Sequence, residues 1–499
     1  MEIFPAYAAF ASAYEAGRAQ PLHMRLIADL DTPVSAFLKL ARGAANTFLF
    51  ESVQGGENRG RYSIIGLKPD LIWRCRNGSA EINRNALGGE DFVQDAEGPI
   101  ASLKRLVQQS RIDLPAELPP MAAGVFGYLG YDMVRYIEKL PPPPPDTLNL
   151  PESILLRPTV TAIFDNIRDE IIVVTPVWPD EKTGARRAYD AAVARLHDIA
   201  ARFEVPPVET PMSVGPDRGS DSIQSNTSHN DYLEIVRKAK EYILAGDIFQ
   251  VVPSQRFRRE FPLPAFTLYR ALRRLNPSPF LYFLNFPGFA VVGSSPEILV
   301  RLRDGVVTIR PIAGTRPRGK TRDEDHVFAE ELMGDPKERA EHLMLLDLGR
   351  NDVGRVAKTG TVKVTDQFFI ERYSHVMHLV SNVEGIIRPE FDAVDALIAG
   401  FPAGTLSGAP KIRAMEIIDE LEREKRGIYA GAVGYFAANG SMDTCIVLRT
   451  AVVKDGMMYV QAGGGVVADS DPESEFQETV NKARALMAAA NEALKQSSG

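Results

Sequence analysis

Cysteine is almost missing: Cys75 and Cys445 are the two in 499 residues, far apart in the chain. That excludes a disulfide framework and any thiolate-built metal site. Tryptophan is as scarce, with two residues. No apolar run reaches the roughly 18 residues a membrane-spanning helix requires. A basic excess is absent as well. Lys and Arg number 57 against 65 Asp and Glu, a net charge of -8, which argues against a binder of nucleic-acid phosphates. The start Met1-Glu2-Ile3-Phe4-Pro5 lacks the basic residues and apolar stretch of a secretory signal. A soluble, cytoplasmic protein with no nucleic-acid or membrane partner is expected. What is present is 45% hydrophobic and 24% charged, a globular composition with material for large cores.

One segment reads as a connector. From Val205 to Ser228 the chain is rich in Pro, Ser and Gly and has little apolar periodicity. Helical spacing precedes it over Arg186–Phe203 and follows it over His229–Ala245. The expected organisation is an N-terminal region, 1–204, a linker, 205–228, and a C-terminal region, 229–499. Pro141 to Pro145 predicts an exposed polyproline II spacer. Strands are expected at Thr159–Phe164, Glu170–Thr175, Ala290–Val292, Val306–Arg310, Ala432–Ala437, Cys445–Val453 and Met458–Ala462. Asp455-Gly456 between two apolar runs is a hairpin signal. Strands mixed with helices, without regular βαβ alternation, point to an α+β fold with antiparallel sheets.

Two helix openings look alike: Asp335-Pro336-Lys337-Glu338-Arg339-Ala340-Glu341 and Asp471-Pro472-Glu473-Ser474-Glu475-Phe476-Gln477-Glu478. Each offers Asp as N-cap and Pro at the first helical position, where its missing N–H costs nothing. Each then carries Glu-x-x-Glu, so both carboxylates share one face. If the helices meet, four carboxylates converge and require a cation to stay ionised. Oxygen ligands without Cys or His point to Mg²⁺. Acidic first turns also suit the helix dipole without any metal, and spacing does not decide whether the helices meet. Lys482 shares a face with Glu478, four residues before it. It suits either a surface ion pair or a substrate carboxylate.

Glycine-containing turns at Ala313–Gly319, Gly404–Lys411 and Ala462–Gly465 are candidate anion cradles or plain turns. Gly404–Lys411 is not a Walker A loop, because Lys411 does not follow a Gly. Gly463-x-Gly465-x-x-Ala468 fits the loose dinucleotide fingerprint but leaves too little chain for a βαβ unit. His375 and His378 sit in a stretch whose β-branched and aromatic content favours a strand. No further zinc ligands accompany them, so a single general acid or base is the more sensible chemistry.

These segments together resemble the chorismate-utilising enzymes, and within them most closely the large component of the anthranilate synthase branch. The matching strings include Ile248–Ser254, Pro311–Gly319, Glu341–Leu348, Arg350–Asp352, Tyr373–Leu379, Gly404–Lys411 and Asn481–Ala483. The resemblance implies antiparallel sheets packed as a sandwich with helices outside, and amination of chorismate. It implies Mg²⁺ held directly by Glu341 and Glu478, with Glu475 and Glu338 supporting through water. His378 aligns with the catalytic histidine, a proton donor to the departing C4 hydroxyl, and Glu338 and Gln250 complete the catalytic group. Gly314, Thr315, Tyr429, Arg449, Gly463, Gly464, Gly465 and Lys482 align with substrate contacts; the guanidinium of Arg449 suits a carboxylate.

Two positions discriminate within that family. Isochorismate and salicylate synthases place Lys where Gln250 stands, as a base for water, and Gln cannot take that proton. Aminodeoxychorismate synthases commonly carry a nucleophilic Lys where Ala313 stands. Both point to attack by ammonia at C2, then pyruvate elimination to anthranilate, the first committed step of tryptophan biosynthesis. Leu49-Phe50-Glu51-Ser52 and Asn276-Pro277-Ser278-Pro279-Phe280-Leu281 resemble the elements that bind inhibitory L-tryptophan, with Glu51, Ser52, Pro279, Phe280 and Leu281 as contacts. Nothing resembles a glutaminase, so the resemblance implies a separate glutamine amidotransferase subunit that delivers ammonia. Aminodeoxychorismate synthase and a non-catalytic tryptophan-binding subunit are the competing readings.

Overall fold

Runs of β-branched and aromatic residues broken by tight turns dominate the sequence, and the computed structural model pairs them as antiparallel strands. It describes residues 2–54, 58–207, 222–373 and 376–496. Among these, 22 strands join one hydrogen-bonded network, and Gln250–Val251 pairs separately with Gly408–Ala409. Asp455 and Gly456 have φ of 50° and 72°, and this doubly left-handed turn closes the hairpin of Thr450–Lys454 with Met457–Gly463.

Strands from both ends of the chain interleave. Thr47–Gln54 pairs with Phe280–Phe286, and Gly124–Leu129 with Ala432–Ala437. Of the expected connector, residues 208–221 lie outside the described residues, as does His375. One core is built of strand faces meeting each other, with Phe48, Phe126, Tyr128, Tyr282 and Val433 among its members. Two others lie between strands and covering helices. The first takes Phe37, Leu196, Leu272 and Leu486 from four helices; the second takes Leu103, Leu346, Val353 and Val394 from three. Removing such apolar surface from water is the main stabilising contribution, about 1.5–3 kcal/mol for each large side chain. The result is the expected sandwich with helices outside, and residues 336–356 and 472–496 are two of those helices.

The expected strands at 159–164, 170–175, 290–292, 432–437 and 458–462 lie inside observed ones. The stretch 445–453 differs. Met442–Ile446 and Thr450–Lys454 are separate strands with different partners. Between them Arg449 adopts φ 46°, a left-handed conformation that composition does not announce in a stretch dominated by β-branched residues. Among the described residues no helix is long and apolar enough to cross a membrane.

Candidate active site

Both acidic helices start as their sequences dictate. Asp335 Oδ1 accepts from the backbone N–H groups of Lys337 and Glu338 at 2.9 and 3.3 Å. Asp471 Oδ2 accepts from Ser474 N at 2.9 Å. The two starts meet: Lys337 Nζ lies 3.0 Å from Asp469 Oδ2, just ahead of the second helix. The turn Gly463–Gly465 runs against both. A Cβ on Gly464 would stand 2.8 Å from Glu475 Oε2, and one on Gly465 2.6 Å from Gln250 Nε2 and 3.9 Å from Glu341 Oε1. Gln250 itself is buried and donates from Nε2 to Glu341 Oε1 over 3.2 Å. A side chain at Gly464 or Gly465 would displace these carboxylate and amide ends, and one at Gly463 would press on the backbone carbonyl of Pro253 at 2.7 Å.

Charge behaves accordingly. The carboxyl of Glu341 is raised by burial, then by repulsion from Glu338 and Glu478. That of Glu475 is raised by burial, with Glu478 and Glu341 adding to it. Glu475 Oε1 accepts from the Ser470 hydroxyl at 2.7 Å, while its buried Oε2 has no partner. Besides Lys337, whose charge reaches Glu341 and Glu475, two further cations answer this charge. Arg316 donates to Glu338 Oε1 at 2.9 Å and to Asp335 Oδ2 at 2.8 Å. Lys482 Nζ lies 2.7 Å from Glu478 Oε1 and donates to Gly463 O at 2.9 Å. Among the described residues no three His, Cys, Asp or Glu close into a metal cage. The oxygen-only donor set, its mutual repulsion and the unpartnered Oε2 of Glu475 nonetheless fit a hard divalent cation.

His378 lies on the strand Val376–Ile386, opposite Thr315. The register slips between Ala313 and Thr315, and Gly314 sits in that bulge at φ 65°, an arrangement that re-aims backbone groups. Gly314 O thereby stands 2.9 Å from His378 Nδ1, with Thr315 Oγ1 at 3.1 Å. Burial pulls the imidazole pKa down to about 4, and the charges of Arg449 and Lys482 pull the same way. The ring is therefore neutral at pH 7. A carbonyl only accepts, so Nδ1 carries the hydrogen and Nε2, which is buried without a partner, is left as an acceptor.

One acid that the motifs did not single out lies within the field of the same cations, since Arg449 and Lys482 both act on it. Glu297 is 7% exposed, and burial raises its carboxyl to about 8 against the opposing effects of Thr405 and Arg449. Thr405 Oγ1 donates to its Oε1 at 3.2 Å. The available signal was one acid inside an otherwise apolar and small stretch, Phe289–Val300, where an ionisable group is costly unless it has a task. Arg316 was likewise missed. Arg449, half-buried, makes no ion pair among the described residues, so its planar fork is available to an anion. Tyr429 is buried, and its hydroxyl would stand 2.9 Å from a Cβ on Gly463. Lys411, by contrast, is taken up by Asp352 at 3.0 Å, which makes Gly404–Lys411 a structural turn on that side.

The second set of expected residues assembles elsewhere. Glu51 and Leu281 are directly opposite in neighbouring antiparallel strands. Glu51 is buried and accepts from Tyr269 Oη at 2.5 Å and from Arg273 at 2.7 and 2.9 Å. Ser52 follows Glu51 in the chain, Pro279 and Phe280 precede Leu281, and all three are half-buried. From Ser278, Oγ donates to Ser295 O at 2.9 Å, and Ser294 N donates to Arg449 O at 3.2 Å, so this element is hydrogen-bonded towards the cleft.

Residues 47–488 match the family of chorismate binding enzymes. The chain is 58% identical over 489 residues to "Anthranilate synthase component 1" of Cereibacter sphaeroides, covering 98% of this chain and 97% of that one. It is 50% identical over 474 residues to the protein of the same name from Pseudomonas putida, covering 94% of each. Among solved structures, anthranilate synthase component I from Streptococcus pneumoniae superposes with a TM-score of 0.76 at 36% identity, covering 93% of this chain and 99% of that one.

Proposed function

The chain belongs to the anthranilate synthase component 1 family of chorismate-binding enzymes, and from that premise we propose that it aminates chorismate at C2 with ammonia and eliminates pyruvate to give anthranilate. The observation that supports this reading is the approach of Glu341 and Glu475 at the Gly464–Gly465 turn, with the charges of Glu338 and Glu478 acting on Glu341 and that of Glu478 on Glu475. Glu341, Glu478 and Glu475 would hold Mg²⁺, with Glu338 behind them. When bound, the metal supplies Lewis-acid withdrawal of charge from the ring carboxylate side of the substrate.

The chain's own groups divide the rest. Arg449 and Lys482 are the cations placed for the two carboxylates of chorismate, the first by a fork and the second by a flexible point charge. Ammonia forms the C–N bond at C2 while the C4–O bond breaks, and the hydroxyl leaves as water once it takes a proton. Glu297, protonated below about 8, is suited to give that proton. Neutral His378, fixed through Nδ1, offers Nε2 as an acceptor for the proton released in the second step. Gln250 cannot deprotonate water, and its amide is held by Glu341, which favours ammonia as the attacking group. Burial pushes the thiol of Cys75 up to about 12 and that of Cys445 further, so neither serves as a glutaminase nucleophile. A partner glutamine amidotransferase subunit supplying ammonia follows, and feedback by L-tryptophan at Glu51, Ser52 and Pro279–Leu281 belongs to the same reading.

Incubation with chorismate, Mg²⁺ and ammonium, read by fluorescence and chromatography, tests the proposal. Anthranilate is expected. A stable amino-chorismate that needs a separate lyase, or no turnover, would overturn it.

A further inference from the structure

Glu475 and Glu341 stand against the Gly464–Gly465 turn, and of the two ammonium groups whose charge reaches them Lys337 is held by Asp469 and Lys482 by Glu478. Lys482 Nζ is 2.7 Å from Glu478 Oε1 and 2.9 Å from Gly463 O. Its charge also reaches Glu341, Glu475 and Glu297, opposing in each the larger upward effect of burial, and it reaches His378. Glu478 and Lys482 are one helical turn apart and both about half exposed, at 47% and 46%. Such a pair is weak and easily exchanged. The bond to Gly463 O is to a neutral group, so the ammonium can leave Glu478 and remain in the cleft on its four-carbon stem.

We propose that Lys482 is a displaceable internal counterion: its ammonium and a divalent cation compete for Glu478, and binding of the cation transfers Lys482 to a substrate carboxylate. The inference rests on the metal reading of the site given above and adds a property to it. A cation arriving beside Lys482 repels it, and a dianionic substrate removes that repulsion. Metal and chorismate therefore bind with positive coupling, and the coupling is reciprocal. Lys482 thereby links the two binding events as well as contacting the substrate.

The experiment is calorimetric titration of the full chain with Mg²⁺, with and without chorismate, in the absence of ammonium. Wild type is compared with Lys482→Met and Lys482→Arg. In wild type, chorismate tightens Mg²⁺ by about tenfold, within the usual range of linked binding. Lys482→Met binds Mg²⁺ alone about fivefold more tightly than wild type, the size of one lost surface pair, and its coupling falls to about twofold or less. Lys482→Arg keeps the competing cation and stays near wild type for Mg²⁺ alone, which separates the effect from a general disturbance of the helix. Equal or weaker Mg²⁺ binding by Lys482→Met would overturn the counterion role while leaving the metal site intact. No Mg²⁺ binding by wild type under either condition would remove the metal reading itself and this inference with it.

Discussion

Lys337 Nζ stands 3.0 Å from Asp469 Oδ2, and that contact joins the first turn of one acidic helix to the loop leading into the other. Both side chains are more than half exposed, at 60% and 67%, so the pair contributes little to stability. It follows from the approach of the helices, which the buried faces of 336–356 and 472–496 impose. Substituting Lys337 by Ala is expected to change the unfolding free energy by less than about 0.5 kcal/mol, measured by urea denaturation.

Neutralising the cluster should separate stability from activity. Glu341 is raised by burial and by its neighbours' charges, so Glu341→Gln removes repulsion and raises Tm in the absence of Mg²⁺. The same variant, and Glu478→Gln, should lose at least about a hundredfold in kcat/KM, since a metal-held charge contributes several kcal/mol at the transition state. Turnover at the wild-type rate in either variant would sink the metal role.

Glu297 sets a pH dependence whose sign is determined by its direction of shift. Its folded-state pKa, about 8, lies above the ordinary glutamate value of 4.5. Between those values the folded chain keeps a proton that the unfolded chain has lost, so stability from this group falls as pH rises through the window. Activity follows the same group. At constant free ammonia, kcat should decline as pH passes about 8. Glu297→Gln should abolish that limb and lower kcat about 10²-fold, the usual contribution of a positioned acid. A limb unchanged in the variant would assign the proton to another donor.

How legible all this was depends on the kind of signal. Asp335-Pro336 and Asp471-Pro472 announced two helix starts correctly because caps are local, and Asp455-Gly456 announced its hairpin for the same reason. Residues 445–453 read as one strand, because the switch of partners at Arg449 is imposed by tertiary pairing rather than by any residue's preference. Glu341, Glu475 and Gln250 were placed by motif, yet their shared turn at Gly463–Gly465 is a long-range fact that no spacing contains. Glu297 and Arg316 were overlooked because each is a single charge whose partners, Thr405 and Glu338, come from distant segments. Glu51 was expected as an inhibitor contact. That Tyr269 and Arg273 hold its carboxylate became visible only when the helix carrying them was packed against the strand.

Gly314 holds His378 through a conformation that few other residues tolerate. Its φ is 65°, and a Cβ there would stand 2.8 Å from Leu332 and 2.9 Å from Glu338 Oε2. Gly314→Ala should therefore cost about 1 kcal/mol or more of stability. It should lower kcat more than it raises KM for chorismate, because it moves the carbonyl that fixes the imidazole. Steady-state kinetics with chorismate and ammonium check the split; a change in KM alone would show that the bulge serves binding rather than His378.

Feedback control is the part of the reading that catalysis does not touch. Leu281 faces Glu51 across paired strands, Ser278 and Ser294 carry hydrogen bonds onward, and Arg449 O receives one of them. A ligand seated on Ser52 and Pro279–Leu281 therefore has a bonded route to the backbone that aims the Arg449 guanidinium. Ser52→Phe should fill the seat with an aromatic ring. Tryptophan inhibition is expected to weaken by at least about tenfold, a loss of some 1.4 kcal/mol of inhibitor binding, while kcat and KM for chorismate stay within about twofold of wild type. The seat is remote in sequence from Glu341 and Glu478 but close to Glu297, because Phe280 pairs with Ser295, whose hydroxyl accepts from Glu297 N; an effect on turnover without tryptophan would mean the ring had disturbed that strand pairing. Equal inhibition of wild type and variant would remove the regulatory role from these residues and leave the amination chemistry untouched.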